Sequence, residues 1–423
     1  YMKHVGGPFE RSSLPELYHH YIGHDNNRDW FMMTQPETRA VARQLYEQWY
    51  PQIIHNQHQS APFPARIFIP PFEDPMNPNI PPLVQRGVNL VGEAMGRRFE
   101  QEGKPGAISR ITFDVWWNGG MRTAPYFHNM IGILTETGHT SPAPATYEAK
   151  NFPRTFSNGV ATLEPSTSYP NPYRGGTWRF RDSCEYMMTA SMAVLDLGAR
   201  WREQWLYDIY QMGRDAIRAG RDETYVIPAE QWDPGAAAKM INTLRIGGVE
   251  VERATASFNA GGRSFGAGSY LIRGAQAFRP YVTDLLNPQV YPDLRLYPDG
   301  PPERPYDVTG WTLPLQMGVE VHRLAEATSV ATEPVDRAPV PAGGVSAVAK
   351  AAYAIDPRAN DAFVAVNRLL KAGDHVTRAT AAFEAGGRSW AAGTFLVTAK
   401  GTQTHDRLAQ HAAALGLQVT ALD

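Results

Sequence analysis

Three short segments of this 423-residue chain hold the side chains best suited to chemistry. The first is His24-Asp25-Asn26-Asn27-Arg28-Asp29-Trp30. The Arg28 guanidinium can grip a carboxylate with two parallel hydrogen bonds, and the Asn27 amide beside it can add a third. The second is Ile53-Ile54-His55-Asn56-Gln57-His58-Gln59. His55 follows two isoleucines, so it belongs where a buried strand emerges, and a neutral imidazole there suits a zinc ion. His58 is a rival ligand or a partner behind the ligand. The third is Ile133-Leu134-Thr135-Glu136-Thr137-Gly138. Glu136 ends an apolar run, and a partly desolvated carboxylate is suited to take a proton from metal-bound water. Each segment also has a plainer reading: an Asx turn made by Asp25 or Asn26, a pair of hydrogen-bonded loop histidines, and a strand-end glutamate facing solvent.

The elements that must position these groups follow from periodicity and punctuation. Pro36 opens a helical pattern that reaches about Trp49, with proline favoured in the first turn, and Pro51 ends it. Ile53–His55 reads as a short buried strand. The prolines of 61–82 predict an irregular surface segment. A helix is expected from about Pro82 to Glu102, with Leu83, Val88, Val91, Met95 and Phe99 on one stripe. Ile111–Phe113 and Ile131–Leu134 read as further strands. One long helix is expected from about Arg181 to Ala219, on the strength of Tyr186, Met187, Met192, Leu195, Leu197 and Trp205. This alternation predicts an α/β layered domain over 1–222.

A second domain is expected over 223–423, because it contains a repeat. Residues 242–271 and 367–396 match without gaps at 17 of 30 positions. Each copy reads as a helix end, a glycine stop, a strand, a Gly-Gly turn and another strand. The Gly-Gly-Arg-Ser of each copy lacks the lysine and spacing of a phosphate-binding loop, so a hairpin turn is the expectation. Residues 326–345 look like the connection between the copies.

Bulk properties narrow the function classes. A formal net charge of −2 predicts no broad attraction to nucleic acid or anionic membrane. No apolar run approaches the roughly 18 residues that span a bilayer. The single cysteine, Cys184, excludes an internal disulfide and a cysteine-rich zinc module.

Taken in order, the three segments resemble zinc carboxypeptidases. Asp25–Trp30 resembles that family's Asp-x-Asn-Arg-Asn-Trp segment, Ile54–Gln59 its strand-end histidine with a glutamine four residues on, and Ile133–Glu136 its catalytic glutamate strand. The likeness covers about residues 1–220. Residues 268–320, with Ala275-Gln276-Ala277-Phe278-Arg279-Pro280 and Trp311-Thr312-Leu313-Pro314, look like the C-terminal extension of large bacterial members. The resemblance implies a mixed α/β sheet flanked by helices, followed by a duplicated α/β domain similar to class I glutamine-amidotransferase domains, without their nucleophilic cysteine. It also implies a zinc cofactor, with His55 as last of three ligands. Asn27 and Arg28 would hold the terminal carboxylate of a peptide or protein, and Glu136 would be the general base.

Two family features lack a counterpart. None of the histidines, His4, His19, His20, His24 and His128 among them, is followed by glutamate at the third position, so the first two zinc ligands are expected upstream of Tyr1. Arg11 is the one candidate for an oxyanion arginine, and Tyr126 stands too close to Glu136 for the family's phenolic tyrosine. Trp116-Trp117-Asn118-Gly119-Gly120 could line the pocket for the terminal side chain or pack as ordinary core, and His128 and His139 flank Glu136. The expectation is a secreted or periplasmic metallocarboxypeptidase. The alternatives are a noncatalytic protein that keeps the fold, and an amidase acting on peptidoglycan stems.

Overall fold

In the computed structural model, residues 23–138, 143–303, 305–307 and 310–423 are described. The chain is mixed α/β, built of several small sheets and their helices. It divides into two compact units: one of residues 1–215 with 289–311, the other of 216–288 with 312–423. The segment 289–311 therefore returns to the first unit after the chain has entered the second.

The first unit opens with helix α1 (Pro36–Arg43), which widens into a π-helical turn over Gln44–Trp49 and stops at Tyr50 in a left-handed conformation. Strand β1 (Ile53–His58) follows. The proline-rich stretch is less irregular than its composition suggests, for it holds β2 (Ile67–Phe68) and β3 (Glu73–Met76). Helix α2 (Pro82–Gln101) is as long as its pattern predicts. Its buried stripe is Val84, Val88, Val91, Met95 and Phe99, while Leu83 is exposed. Strands β4 (Ala107–Ile108) and β5 (Asp114–Val115) flank Ile111–Phe113, which is not itself a strand because Thr112 turns the backbone to φ 71°.

Strand β6 (Ile131–Thr137) is buried along its whole length. A two-stranded ribbon, β7 (Ala145–Glu148) with β8 (Gly175–Trp178), leads to α3 (Phe180–Arg200) and α4 (Arg202–Ala219). The single long helix expected there is thus two helices, interrupted at Trp201, whose φ of −110° and ψ of 23° are not helical. On α3 the buried positions are Ser183, Tyr186, Thr189, Ala190 and Ala193, whereas Met192 and Leu195 are exposed. Small side chains let a helix approach its neighbours closely, and α2 and α3 pack against each other.

The main sheet of this unit has the order β1-β6-β2-β4, with β1 and β6 parallel and β2 antiparallel to β6. Its centre is β6. Gly132 is there because a Cβ would meet the Arg122 carbonyl oxygen at 1.8 Å. That close approach seats β6 against the Trp117–Arg122 turn.

The second unit carries the repeat as two equivalent layers. The first copy runs β9 (Thr224–Ile227), α5 (Pro234–Ile246), β10 (Glu252–Ala254), the hairpin β11 (Phe258–Ala260) and β12 (Arg263–Phe265), then β13 (Tyr270–Arg273). Helices α6 (Arg279–Leu286) and α7 (Leu313–Met317) follow, then β14 (His322–Leu324), β15 (Thr332–Pro334) and β16 (Gly344–Val345). The second copy runs β17 (Ala352–Ile355), α8 (Asn360–Lys371), β18 (Val376–Arg378), the hairpin β19 (Phe383–Ala385) and β20 (Arg388–Trp390), and β21 (Phe395–Thr398). It ends with α9 (Thr402–Leu415) and β22 (Gln418–Leu422).

The sheet orders β14-β9-β13-β10-β15 and β16-β22-β17-β21-β18 share the antiparallel core β9-β13-β10 and β17-β21-β18. Both Gly-Gly pairs are the hairpin turns that were expected. Gly261 and Gly262 have φ of 56° and 72°, and Gly386 and Gly387 have 59° and 73°, which is the geometry of a tight hairpin that glycine adopts without strain.

Candidate functional site

Glu136 and His58 are direct partners in the β1–β6 register. Side chains alternate across a strand, so Asn56 and His58 share one face of the sheet with Leu134 and Glu136, and His55 lies on the other face with Ile133 and Thr135. Two hydrogen bonds agree with this. His58 Nδ1 is 2.9 Å from Glu136 Oε2, and His55 Nε2 is 2.9 Å from Thr135 Oγ1. Gln57, on the His55 face, donates to Ser191 of α3, so α3 covers that face. The structure therefore joins the second and third segments, but it brings His58, not His55, to Glu136.

Glu136 is 4% exposed. One of its oxygens, Oε2, accepts the Ser60 backbone N–H at 2.6 Å as well as meeting His58. These two contacts fix its orientation. His55 is mostly buried, and desolvation lowers its pKa to about 4, so the ring is neutral.

Asn27 and Arg28 sit in a 3-10 turn, Asn26–Arg28. Asp25 makes the Asx turn anticipated for this loop: its Oδ1 accepts the Asn27 N–H at 2.7 Å. The buried Asp29 ties the loop to α1, accepting from the Thr34 and Gln35 backbone N–H groups at 3.0 and 2.9 Å. Asn27 Oδ1 accepts the Met121 N–H at 2.8 Å, which fastens the loop to the turn that seats β6. Arg28 stacks over Trp117 at 4.9 Å, so this tryptophan is the floor of the arginine. Trp116 packs edge-on against Tyr291 instead.

Arg28 is already engaged. Its Nε donates to Asp307 Oδ2 at 3.0 Å and its Nη1 to the Asn27 carbonyl at 3.1 Å, with Asp25 at 3.7 Å. Its Nη2 has no hydrogen bond among the described residues. Asp307 comes from the returning segment, as does its neighbour Tyr306, whose ring lies against Phe113 at 5.3 Å. Burial raises the Tyr306 pKa. The charges of Arg122 and Arg28 oppose that rise, and those of Glu136 and Asp307 add to it.

Sequence reasoning missed Tyr306 and Asp307, which meet Phe113 and Arg28 from far along the chain, and no local spacing signals them. The His58–Glu136 pairing had a signal: each residue is the sixth of a run that begins with the paired Ile53 and Ile131. Tyr126 is not in the site; it is fully buried and donates its hydroxyl to the Gly132 carbonyl at 3.0 Å, and burial pushes its pKa up to about 12. His128 stacks on Tyr46 at 3.7 Å and bonds the Ala124 carbonyl, a packing role. His4, Arg11, His19, His20 and His139 lie outside the described residues.

Among the described residues, no three His, Cys, Asp or Glu side chains come together to hold a metal ion. No helix among them is long and apolar enough to cross a membrane. Comparison of the chain with known protein families, with curated proteins and with solved structures gave no match.

Proposed function

We propose that the chain is a zinc-dependent metallopeptidase of the carboxypeptidase type, which hydrolyses peptide bonds near a free C-terminal carboxylate. The observation that carries this reading is the His58–Glu136 pair on neighbouring parallel strands, with the Asn27–Arg28 turn fastened to the loop that seats one of those strands. The carboxypeptidase-like sheet and the amidotransferase-like second unit belong to the same reading, as does export from the cytoplasm.

The roles follow from the chain's own groups. Arg28 would receive the substrate's terminal carboxylate, and Asn27 holds the loop that carries it. Glu136, oriented by Ser60 and His58, would take a proton from the attacking water and return it to the leaving amine, a task worth about 10²–10⁴-fold in rate. Of the two β1 histidines, His58 shares the Glu136 face, so the reading gives it the metal-facing position that the family resemblance gave His55. The described residues do not complete a zinc site, so the ion needs ligands beyond them. When bound, zinc supplies a water of lowered pKa and polarises the scissile carbonyl.

The test is release of the C-terminal residue from an N-acylated dipeptide, together with elemental analysis of the purified protein. Release from the free acid but not from its C-terminal amide, with about one zinc per chain, supports the reading. A zinc-loaded protein that leaves the free acid intact refutes it. The second reading is a noncatalytic protein. It is favoured by the Arg28–Asp307 ion pair, which occupies one edge of the guanidinium, and a metal-free protein that still binds peptide C-termini would support it.

A further inference from the structure

The segment 289–311 leaves the second unit and joins the first, where its Asp307 meets Arg28. Its Asp307 side chain is 10% exposed and meets Arg28 Nε. The Asn27 carbonyl takes Nη1. Two of the three guanidinium nitrogens are thereby fixed, and the guanidinium carbon lies 4.9 Å from the centre of the Trp117 ring. The remaining nitrogen, Nη2, belongs to a side chain that is 34% exposed. A guanidinium held in this way offers an incoming carboxylate one predetermined edge, which lowers the ordering cost of binding. The neighbouring residue, Tyr306, is 41% exposed and keeps its ring on Phe113.

We propose that this returning segment completes the substrate site, with Asp307 as the positioning residue of Arg28 and its exposed neighbour Tyr306 as a substrate-contacting residue. The hydroxyl of an exposed tyrosine next to Asp307 can donate a hydrogen bond to the substrate's backbone. The ligand class is an acylated amino acid or peptide with a free α-carboxylate. The inference rests on the peptidase reading for its substrate, but binding alone can test it.

The experiment measures binding of an N-benzoyl dipeptide and of its C-terminal amide by calorimetry, and turnover of the acid, for the wild-type protein, Tyr306→Phe, Asp307→Asn and Asp307→Glu. We expect the wild type to prefer the acid. Asp307→Asn should weaken acid binding about tenfold without changing amide binding, and Asp307→Glu should recover part of the loss. Tyr306→Phe should lower affinity for both ligands several-fold. In turnover, Asp307→Asn should act mainly on KM. Acid and amide binding equal to wild type in both Tyr306→Phe and Asp307→Asn would overturn the inference whether or not the peptide is cut. Selective binding that depends on these residues, without hydrolysis, would support the inference and count against the peptidase reading alone.

Discussion

His58 and Glu136 lie side by side across two parallel strands, with Nδ1 and Oε2 2.9 Å apart, while His55, three residues earlier, faces the opposite side of the sheet. The two histidines should therefore respond differently to substitution. His58→Gln should cut turnover by about 100-fold or more while leaving the unfolding midpoint nearly unchanged, since the side chain is 40% exposed. His55→Gln should do the reverse, because it disturbs a partly buried hydrogen bond to Thr135 worth about 1–3 kcal/mol when one partner is left unsatisfied. Parallel activity assays and denaturant melts check this, and equal loss of turnover in both variants counts against the assignment.

Gly132 has no room for a side chain. Its Cβ would lie 1.8 Å from the Arg122 carbonyl oxygen, a backbone atom that cannot swing aside. Gly132→Ala should destabilise the protein by about 1–3 kcal/mol and should also lower activity, because β6 carries Glu136. A melt unchanged from wild type would show that the strand is free to shift.

Arg66 is 2% exposed and lies in an aromatic cage, with its guanidinium 4.7–5.0 Å from the rings of Tyr147, Tyr173 and Trp178. Cation–π contacts reach about 2 kcal/mol each when desolvated. Arg66→Ala should therefore cost about 3 kcal/mol or more, adding a cavity to the lost contacts. Arg66→Lys should recover only part, since an ammonium cannot stack as a plane. Chemical denaturation of the two variants measures both effects.

Acid should loosen the second unit through Asp374. Its carboxylate accepts from both Arg407 Nε, at 2.8 Å, and Arg407 Nη2, at 2.6 Å, and this pairing holds its pKa below the ordinary value of 3.8. The folded state thus binds the proton more weakly than the unfolded state. The contribution is complete above about pH 4 and is lost as the pH falls from there through the folded value. Asp374→Asn should lower stability at pH 7 and flatten that acid limb. A variant whose stability falls with acid as steeply as wild type would contradict this.

Much of the fold was legible because its signals are local. The pattern that ends at Phe99 gave α2, and the paired glycines at 261–262 and 386–387 gave two hairpins whose turns need left-handed backbone. The α3–α4 break at Trp201 was not legible, because apolar spacing continues across it. The α3 stripe was misjudged for a related reason: small residues such as Ala190 and Ala193, rather than Met192 and Leu195, face inward. In the site, Arg28 and Glu136 were singled out by their residue types, their local segments and the family resemblance those segments carry. Which face of β1 meets Glu136 depends on register, and register is decided by the partner strand. The contribution of Tyr306 and Asp307 depends on a chain return that no local pattern encodes.

The most direct test of the account is the rate at which Glu136→Gln releases the C-terminal residue from an N-acylated dipeptide, set beside wild type. The substitution keeps the shape and an acceptor for Ser60 while removing the base. The account predicts a fall of at least about 100-fold, with fold and metal content retained. Turnover by Glu136→Gln at the wild-type rate would contradict it.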